Sequence, residues 1–267
     1  MKYLKLFFIL AIVALNATAQ KLPNKQEASF KAPTNVKIDG KAVEWGDFKA
    51  YNSATEVYYT IANDDKNLYL VVRATDAVAS RKIIAGSITF SVSATGVDAV
   101  KGGTTVTYPL FDRKAMPAIN LRNRAAIIAR AAAVDSFVLA SNKEFAKNAK
   151  QIKLTGIKAT GDTLISIYNE EGIMAAGSFD NPLAYTYELA LPLKHLHKPV
   201  TKGSLLNYNI KLNGSAYAEG VFFEQIEGGT RLTSPDKSSA SNPWPKMVDM
   251  QIIAAPSDVS GTYTLAL

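Results

Sequence analysis

The chain has no cysteine, which removes disulfides, thiol catalysis, thiolate metal sites and redox motifs together. Histidine is almost as scarce: His195 and His197 are the only two in 267 residues. Lysines and arginines outnumber acids by 30 to 23, yet they form no run of five or six. A nucleic-acid partner would want a dense basic stripe with interleaved aromatics, and none is present. Long apolar runs are missing apart from Leu6–Leu15, and that stretch falls short of the ~20 residues a membrane-spanning helix needs. Also missing are a Gly-x-Ser-x-Gly elbow, a His-Glu-x-x-His pair, a Gly-rich phosphate loop and a dinucleotide fingerprint.

What is present begins with an export signal. Met1–Lys5 is a short basic start, Leu6–Leu15 an apolar core, and Ala17-Thr18-Ala19 a small-x-small cleavage site. Residues 1–19 are therefore expected to be removed, leaving Gln20 as the first residue of a mildly basic chain that does not span a membrane. The compartment expected is periplasmic or extracellular. No cysteine follows the apolar run to take a lipid. The remaining composition, 48% hydrophobic, 9% aromatic and 20% charged, is that of one globular domain over 20–267, large enough to bury a sizeable core.

Residues 20–35 are polar, with Pro23 and Pro33, and read as a loosely packed leader. Glu56–Ala62 alternates, with Val57, Tyr59 and Ile61 facing one way and Tyr58 and Thr60 the other. The turn formers Asn63–Asn67 join it to Leu68–Ala74, which makes a hairpin. Further strands are expected at 87–93, 104–110, 151–158, 163–168, 172–178, 185–191, 205–212, 221–226, 247–254 and 262–267. Short strands with turn residues between them predict an all-β, two-sheet antiparallel sandwich of immunoglobulin-like or jelly-roll type. One stretch differs. Residues 121–150 contain neither Gly nor Pro and are rich in Ala, with Ile127, Ile128, Val134, Phe137, Val138 and Phe145 at helical spacings. That predicts one helical insertion, with Arg122, Arg124 and Arg130 at the end the helix dipole disfavours, so that its start is displaced or it breaks near Asp135-Ser136.

Three landmarks stand in order. They are Ile38-Asp39-Gly40-Lys41-Ala42-Val43-Glu44-Trp45; Asn63–Leu70 followed by Arg73-Ala74-Thr75-Asp76; and Tyr185-Thr186-Tyr187-Glu188-Leu189-Ala190-Leu191-Pro192-Leu193. Together they resemble the opening "DG…EW", the "D…NLYL…V.D" hairpin and the "Y.vEiaIPl" strand of family 9 carbohydrate-binding modules and their DOMON-like relatives. The resemblance implies a non-catalytic β-sandwich that binds a carbohydrate or cell-envelope glycan and uses no cofactor. The alternatives are an envelope sandwich that binds another protein and, third, a glycoside hydrolase. Sugar-binding members of the family clamp their ligand between two Trp side chains. Here the segment Asp76–Lys82 has no aromatic, and Trp244 is the nearest counterpart of the second.

Individual residues can be weighed on their chemistry. Trp45, just after a turn, suits burial against a sheet. His195 and His197 form a His-x-His pair that suits a metal only on a strand with a third ligand, so a structural or surface role is expected. Asp64 and Asp65 lack the Asp-x-Asp-x-Asp spacing of a calcium loop and read as a turn; whether any metal binds stays open. Glu170-Glu171 reads as a solvated turn before Gly172 rather than as a glycosidase acid. Asp39, Asp76 and Asp180 are scattered acids. A sugar site needs an exposed aromatic beside planar polar groups. Trp244, bracketed by Pro243 and Pro245, with Arg231, Glu224 and Gln225 supplies both; Tyr217, with Phe222 and Phe223 nearby, is an alternative platform.

Overall fold

The computed structural model describes residues 21–111, 119, 121, 124–157, 163–196, 198–215, 222–226, 229–233 and 247–266, with the backbone alone for 222–226, 229–233 and 247–250. Its strands are β1 (Ala50–Asn52), β2 (Val57–Asn63), β3 (Asn67–Ala74), β4 (Ile88–Ala94), β5 (Thr104–Leu110), β6 (Gln151–Thr155) and β7 (Thr163–Ser166). They continue as β8 (Met174–Phe179), β9 (Tyr185–Pro192), β10 (Leu205–Leu212), β11 (Phe222–Ile226), β12 (Gly229–Thr233) and β13 (Ser257–Thr264). One sheet has the order β1-β2-β3-β9-β8, the other β13-β10-β4-β5-β6-β7, and β11-β12 is a separate hairpin. Strand pairing within each sheet is antiparallel. The protein is thus the all-β antiparallel sandwich that the strand spacing predicts.

Alternation decides what lies between the sheets. Tyr59, Ile61, Leu70, Val72, Tyr187 and Leu189 point inward from the first sheet to meet Phe90, Val106, Leu206, Tyr208 and Ile210 from the second. The two sheets are also tied by a hydrogen bond, 2.9 Å long, between the Tyr59 and Tyr208 hydroxyls, both deep in the core.

The helices differ from expectation in four places. The insertion forms α3 (Arg124–Ile128) and α4 (Ala131–Asn148), broken at Arg130, five residues ahead of Asp135. Arg130 takes an extended conformation before α4. The strand expected over 247–254 is instead a helix, α5 (Met247–Ala254). A short, nearly continuous apolar run does not distinguish the two states by period. The aromatic-free segment after the first hairpin is α1 (Ala77–Gly86); Asp76 caps it by accepting from the Val78 and Ala79 N–H groups at 2.7 and 3.2 Å. A further turn, α2 (Ala99–Gly102), is capped in the same way by Asp98. The last strand runs over 257–264 rather than 262–267.

The leader is not loose. Gln26 is buried, and its side chain binds both the N–H and the C=O of Ile61, at 2.7 and 2.8 Å. Ala32 and Phe30 then pair with the backbone of Asn63. These contacts continue the β2 edge where β1 stops, covering N–H and C=O groups that would otherwise be open.

Candidate functional site

The three sequence landmarks meet on the outer face of the first sheet, around one carboxylate. Glu188 on β9 is fully buried. Its Oε1 accepts from the Trp45 indole at 2.6 Å, and its Oε2 from the backbone N–H groups of Asp39, Gly40 and Lys41 at 3.0, 2.7 and 3.2 Å. Burial pushes the carboxyl up to about 7, against the pull of the Trp45, Gly40 and Asp39 donors. Gly40 sits at φ 82°, and a Cβ there would lie 2.7 Å from the Gly177 backbone, so the turn requires glycine. Trp45 is buried as expected and packs on the Tyr69 ring, 5.5 Å between centroids. With Phe30, Val36 and Ile38 it covers Ala62, Val71 and Ala190. This cluster fastens the leader to the sheet, and its acid has no free oxygen.

The aspartates singled out in the sequence are likewise engaged. Asp64 accepts from the Lys66 and Asn67 N–H groups, both at 2.7 Å, and from the Tyr69 hydroxyl, which makes it the turn residue expected. Burial works to raise its carboxyl, but these donors prevail and hold it below the usual value. Asp65 pairs with Lys202 at 3.1 Å. Asp39 accepts from the Lys41 N–H, Asp76 caps α1, and Asp180 pairs with Arg73. His195 lies in a turn of 3-10 helix rather than on a strand, buried, with Nε2 2.9 Å from the Glu171 carbonyl and 3.5 Å from its carboxylate. The Glu170-Glu171 pair is a turn, although Glu171 faces this histidine. His197 lies outside the described residues. Among the described residues no three His, Asp or Glu side chains are placed to hold a metal.

The expected ligand site is only partly on view. Glu224 and Arg231 occupy facing positions of the β11-β12 hairpin, which brings them to one register, with Gln225 opposite Thr230, Phe222 opposite Thr233 and Phe223 opposite Leu232. Trp244 and Tyr217 lie outside the described residues.

A different surface has the aromatic and polar groups that a sugar needs. Along one row across the first sheet, Tyr51 faces Tyr58, Tyr58 faces Arg73, Arg73 faces Thr186, and Thr186 faces Ser178. All five are on the outer face; Thr186 is buried and Ser178 donates to the Gly40 carbonyl at 2.7 Å, so the open part of the row is Tyr51, Tyr58 and Arg73. Tyr51, Tyr58 and Phe48 form a half-buried ledge, with ring centroids 4.7 Å apart for Tyr51–Tyr58 and 6.0 Å for Phe48–Tyr58. Beside it the Arg73 guanidinium is held flat by Asp180 and by the Thr186 hydroxyl at 3.3 Å. Burial raises the Tyr51 phenol, with Glu56, Tyr58 and Asp76 adding to it, so the ring stays a neutral hydroxyl donor. The outer face of the second sheet differs: Thr89 bonds Thr107, Ser91 bonds Thr105, and Asn209 bonds Asp258 and Ser260.

The row was partly signalled in the sequence. Alternation over Glu56–Ala62 already turns Tyr58 outward, and a turn at 63–67 pairs Asn63 with Leu68, which places Tyr58 opposite Arg73. The contribution of β9, over 100 residues away, has no local signal.

The fold and this surface define the class: a two-sheet antiparallel sandwich with an aromatic and guanidinium row on one outer face. No family model and no curated protein matches the chain. Among solved structures, it is similar to a family 9 carbohydrate-binding module from Caldicellulosiruptor kristjanssonii in complex with glucose, at 12% identity and a TM-score of 0.31, over 70% of this chain and 77% of that one.

Proposed function

We propose that the protein is an exported, non-catalytic carbohydrate-binding sandwich, a single domain over 20–267 after removal of residues 1–19, with an envelope or extracellular glycan as its ligand. The observation that carries this reading is the Tyr51–Tyr58–Arg73 row. A pyranose presents an apolar C–H face and a rim of hydroxyls. The tyrosine ledge supports the first, and a guanidinium pinned by Asp180 supports the second without losing further side-chain freedom on binding. The non-catalytic reading is supported by the engagement of Glu188, Asp64, Asp76 and Asp180 in structural hydrogen bonds. No helix among the described residues is long and apolar enough to cross a membrane.

The test is a glycan-array screen of the chain beginning at Gln20, followed by calorimetry on the best ligand. Tyr58→Ala is expected to weaken that ligand about tenfold, the loss of one stacking anchor at ~1.4 kcal/mol, with the melting temperature little changed. A folded protein that binds no glycan favours the protein-interaction sandwich instead. Mass spectrometry of envelope-fractionated protein is expected to find Gln20 at the N-terminus, and an intact Met1 would overturn the export reading.

A further inference from the structure

At the end of the sandwich next to the tyrosine ledge, an open cleft of about 250 Å³ lies between the Ser53–Glu56 turn, the first turns of α1 at Val78, Ala79 and Lys82, and Ile252 of α5. Tyr51 and Arg73 of the row lead into it along the chain, two residues before the turn and four before α1. The turn is rigidly built. The Asn52 side chain accepts from the Ala54 N–H, the Thr55 N–H and the Thr55 hydroxyl at 3.1, 2.9 and 3.0 Å. The Glu56 N–H is bonded to the Asn52 carbonyl at 2.8 Å, which holds Glu56 at φ 55° with its side chain exposed. Lys82, in the wall of the cleft, is only 7% exposed. Its ammonium donates to the Ser257 hydroxyl at 3.2 Å and forms no ion pair with a carboxylate among the described residues.

Beyond that hydroxyl the charge nearest this buried ammonium is the exposed Glu56 carboxylate in the same cleft, so the cation is only partly compensated. We propose that this cleft seats the carboxylate of an acidic sugar, a uronic-acid unit, against Lys82, extending the glycan held on the tyrosine ledge. The inference rests on the carbohydrate reading and narrows it to a substrate class. Size and charge select the class. The volume lies just below the range of pockets for drug-sized ligands and suits one sugar unit. A phosphate monoester, close to doubly charged, would be set against Glu56 more strongly than a singly charged carboxylate. A uronate carries one negative charge, and its neighbouring hydroxyls are donors suited to the Glu56 carboxylate.

The test compares oligogalacturonate with its fully methyl-esterified form, which has the same rings without the charge, by calorimetry on the chain from Gln20. The free acid is expected to bind at least tenfold tighter. Lys82→Met is expected to erase that advantage while leaving ester affinity unchanged, and Lys82→Arg to keep part of it. Equal binding of acid and ester by the native chain overturns the uronate seat and leaves the carbohydrate reading standing. Binding of neither, with glycan-array binding also absent, overturns both. An acid preference that survives in folded Lys82→Met places the seat elsewhere and overturns the inference. Should Lys82→Met melt early, side-chain NMR of lysine in the native chain decides. A Lys82 shift on adding the acid and not the ester supports the seat, and no shift overturns it.

Discussion

Glu188 shows how a single residue ties sequence motif, packing and pH response together. The Asp39-Gly40 turn and Trp45 lie more than 140 residues from the β9 glutamate, yet they converge on its two carboxylate oxygens. Glu188→Ala leaves the indole N–H and three backbone N–H groups facing an emptied site. The cost expected is ~3 kcal/mol, read as a lower urea midpoint, because each buried donor left without a partner is penalised. The pH dependence follows from the sign of the shift. The folded carboxyl is raised from 4.5 to about 7, so it binds its proton more tightly in the folded chain. Its contribution to stability is fully present below pH 4.5 and is lost as pH rises through about 7. Asp64, held low, acts in the opposite sense, and its contribution is lost only as pH falls into the acid range. Glu188→Gln is therefore expected to flatten the stability profile between pH 4.5 and 8 while staying folded, measured as melting temperature against pH. An unchanged slope would assign that response to other groups.

The elements show where local pattern suffices and where it does not. Strands β5 and β10 fall where alternation puts them, because one face of each is core and the other polar, and a slip by one residue would exchange the faces. Pro192 closes β9, as expected of a residue with no N–H for the ladder. The helices were harder to read. In α5 the apolar residues run nearly consecutively, so neither period is marked, and its packing against α1 is a tertiary choice. In α1 the cap was present in the sequence as Asp76, but the helix carries Arg81 and Lys82 into buried positions, which inverts the usual reading of charge as surface. The Asp76 cap is expected to contribute ~1 kcal/mol, so Asp76→Ala should lower the melting temperature by a few degrees, and Asp76→Asn should restore most of it. Helix α1 also walls the cleft. The same Asp76→Ala variant is therefore expected to weaken oligogalacturonate, if Lys82 seats it, more than a neutral glycan on the tyrosine ledge.

For the molecule as a whole, the described surface of the sandwich is organised by what the N-terminal leader covers. Composition alone reads residues 20–35 as loose, because polar residues and two prolines predict no element of their own. The order comes instead from long-range partners: Ile61 for the Gln26 side chain, Tyr59 for its N–H at 3.0 Å, and Tyr263 of the opposite sheet for Phe30. These contacts join both sheets at one edge, and none has a signature in the leader itself. The candidate site has the same origin. Its ledge joins Phe48 and Tyr51 to Tyr58 of the next strand, and its guanidinium is fixed by strands brought together only in the fold. Removing residues 20–32 tests this arrangement. It deletes two side-chain hydrogen bonds to Ile61, the pairing with Asn63 and the packing of Phe30, a loss expected at roughly 3–5 kcal/mol. For a domain of this size that corresponds to a melting temperature lower by roughly 10 °C. It also bares the end of β2, whose free N–H and C=O groups then template pairing with another chain. The truncated protein is accordingly expected to run as a concentration-dependent dimer or larger species on size-exclusion chromatography. A truncated chain that stays monomeric and melts with the full one would show that the leader merely lies along an edge the sheet already protects.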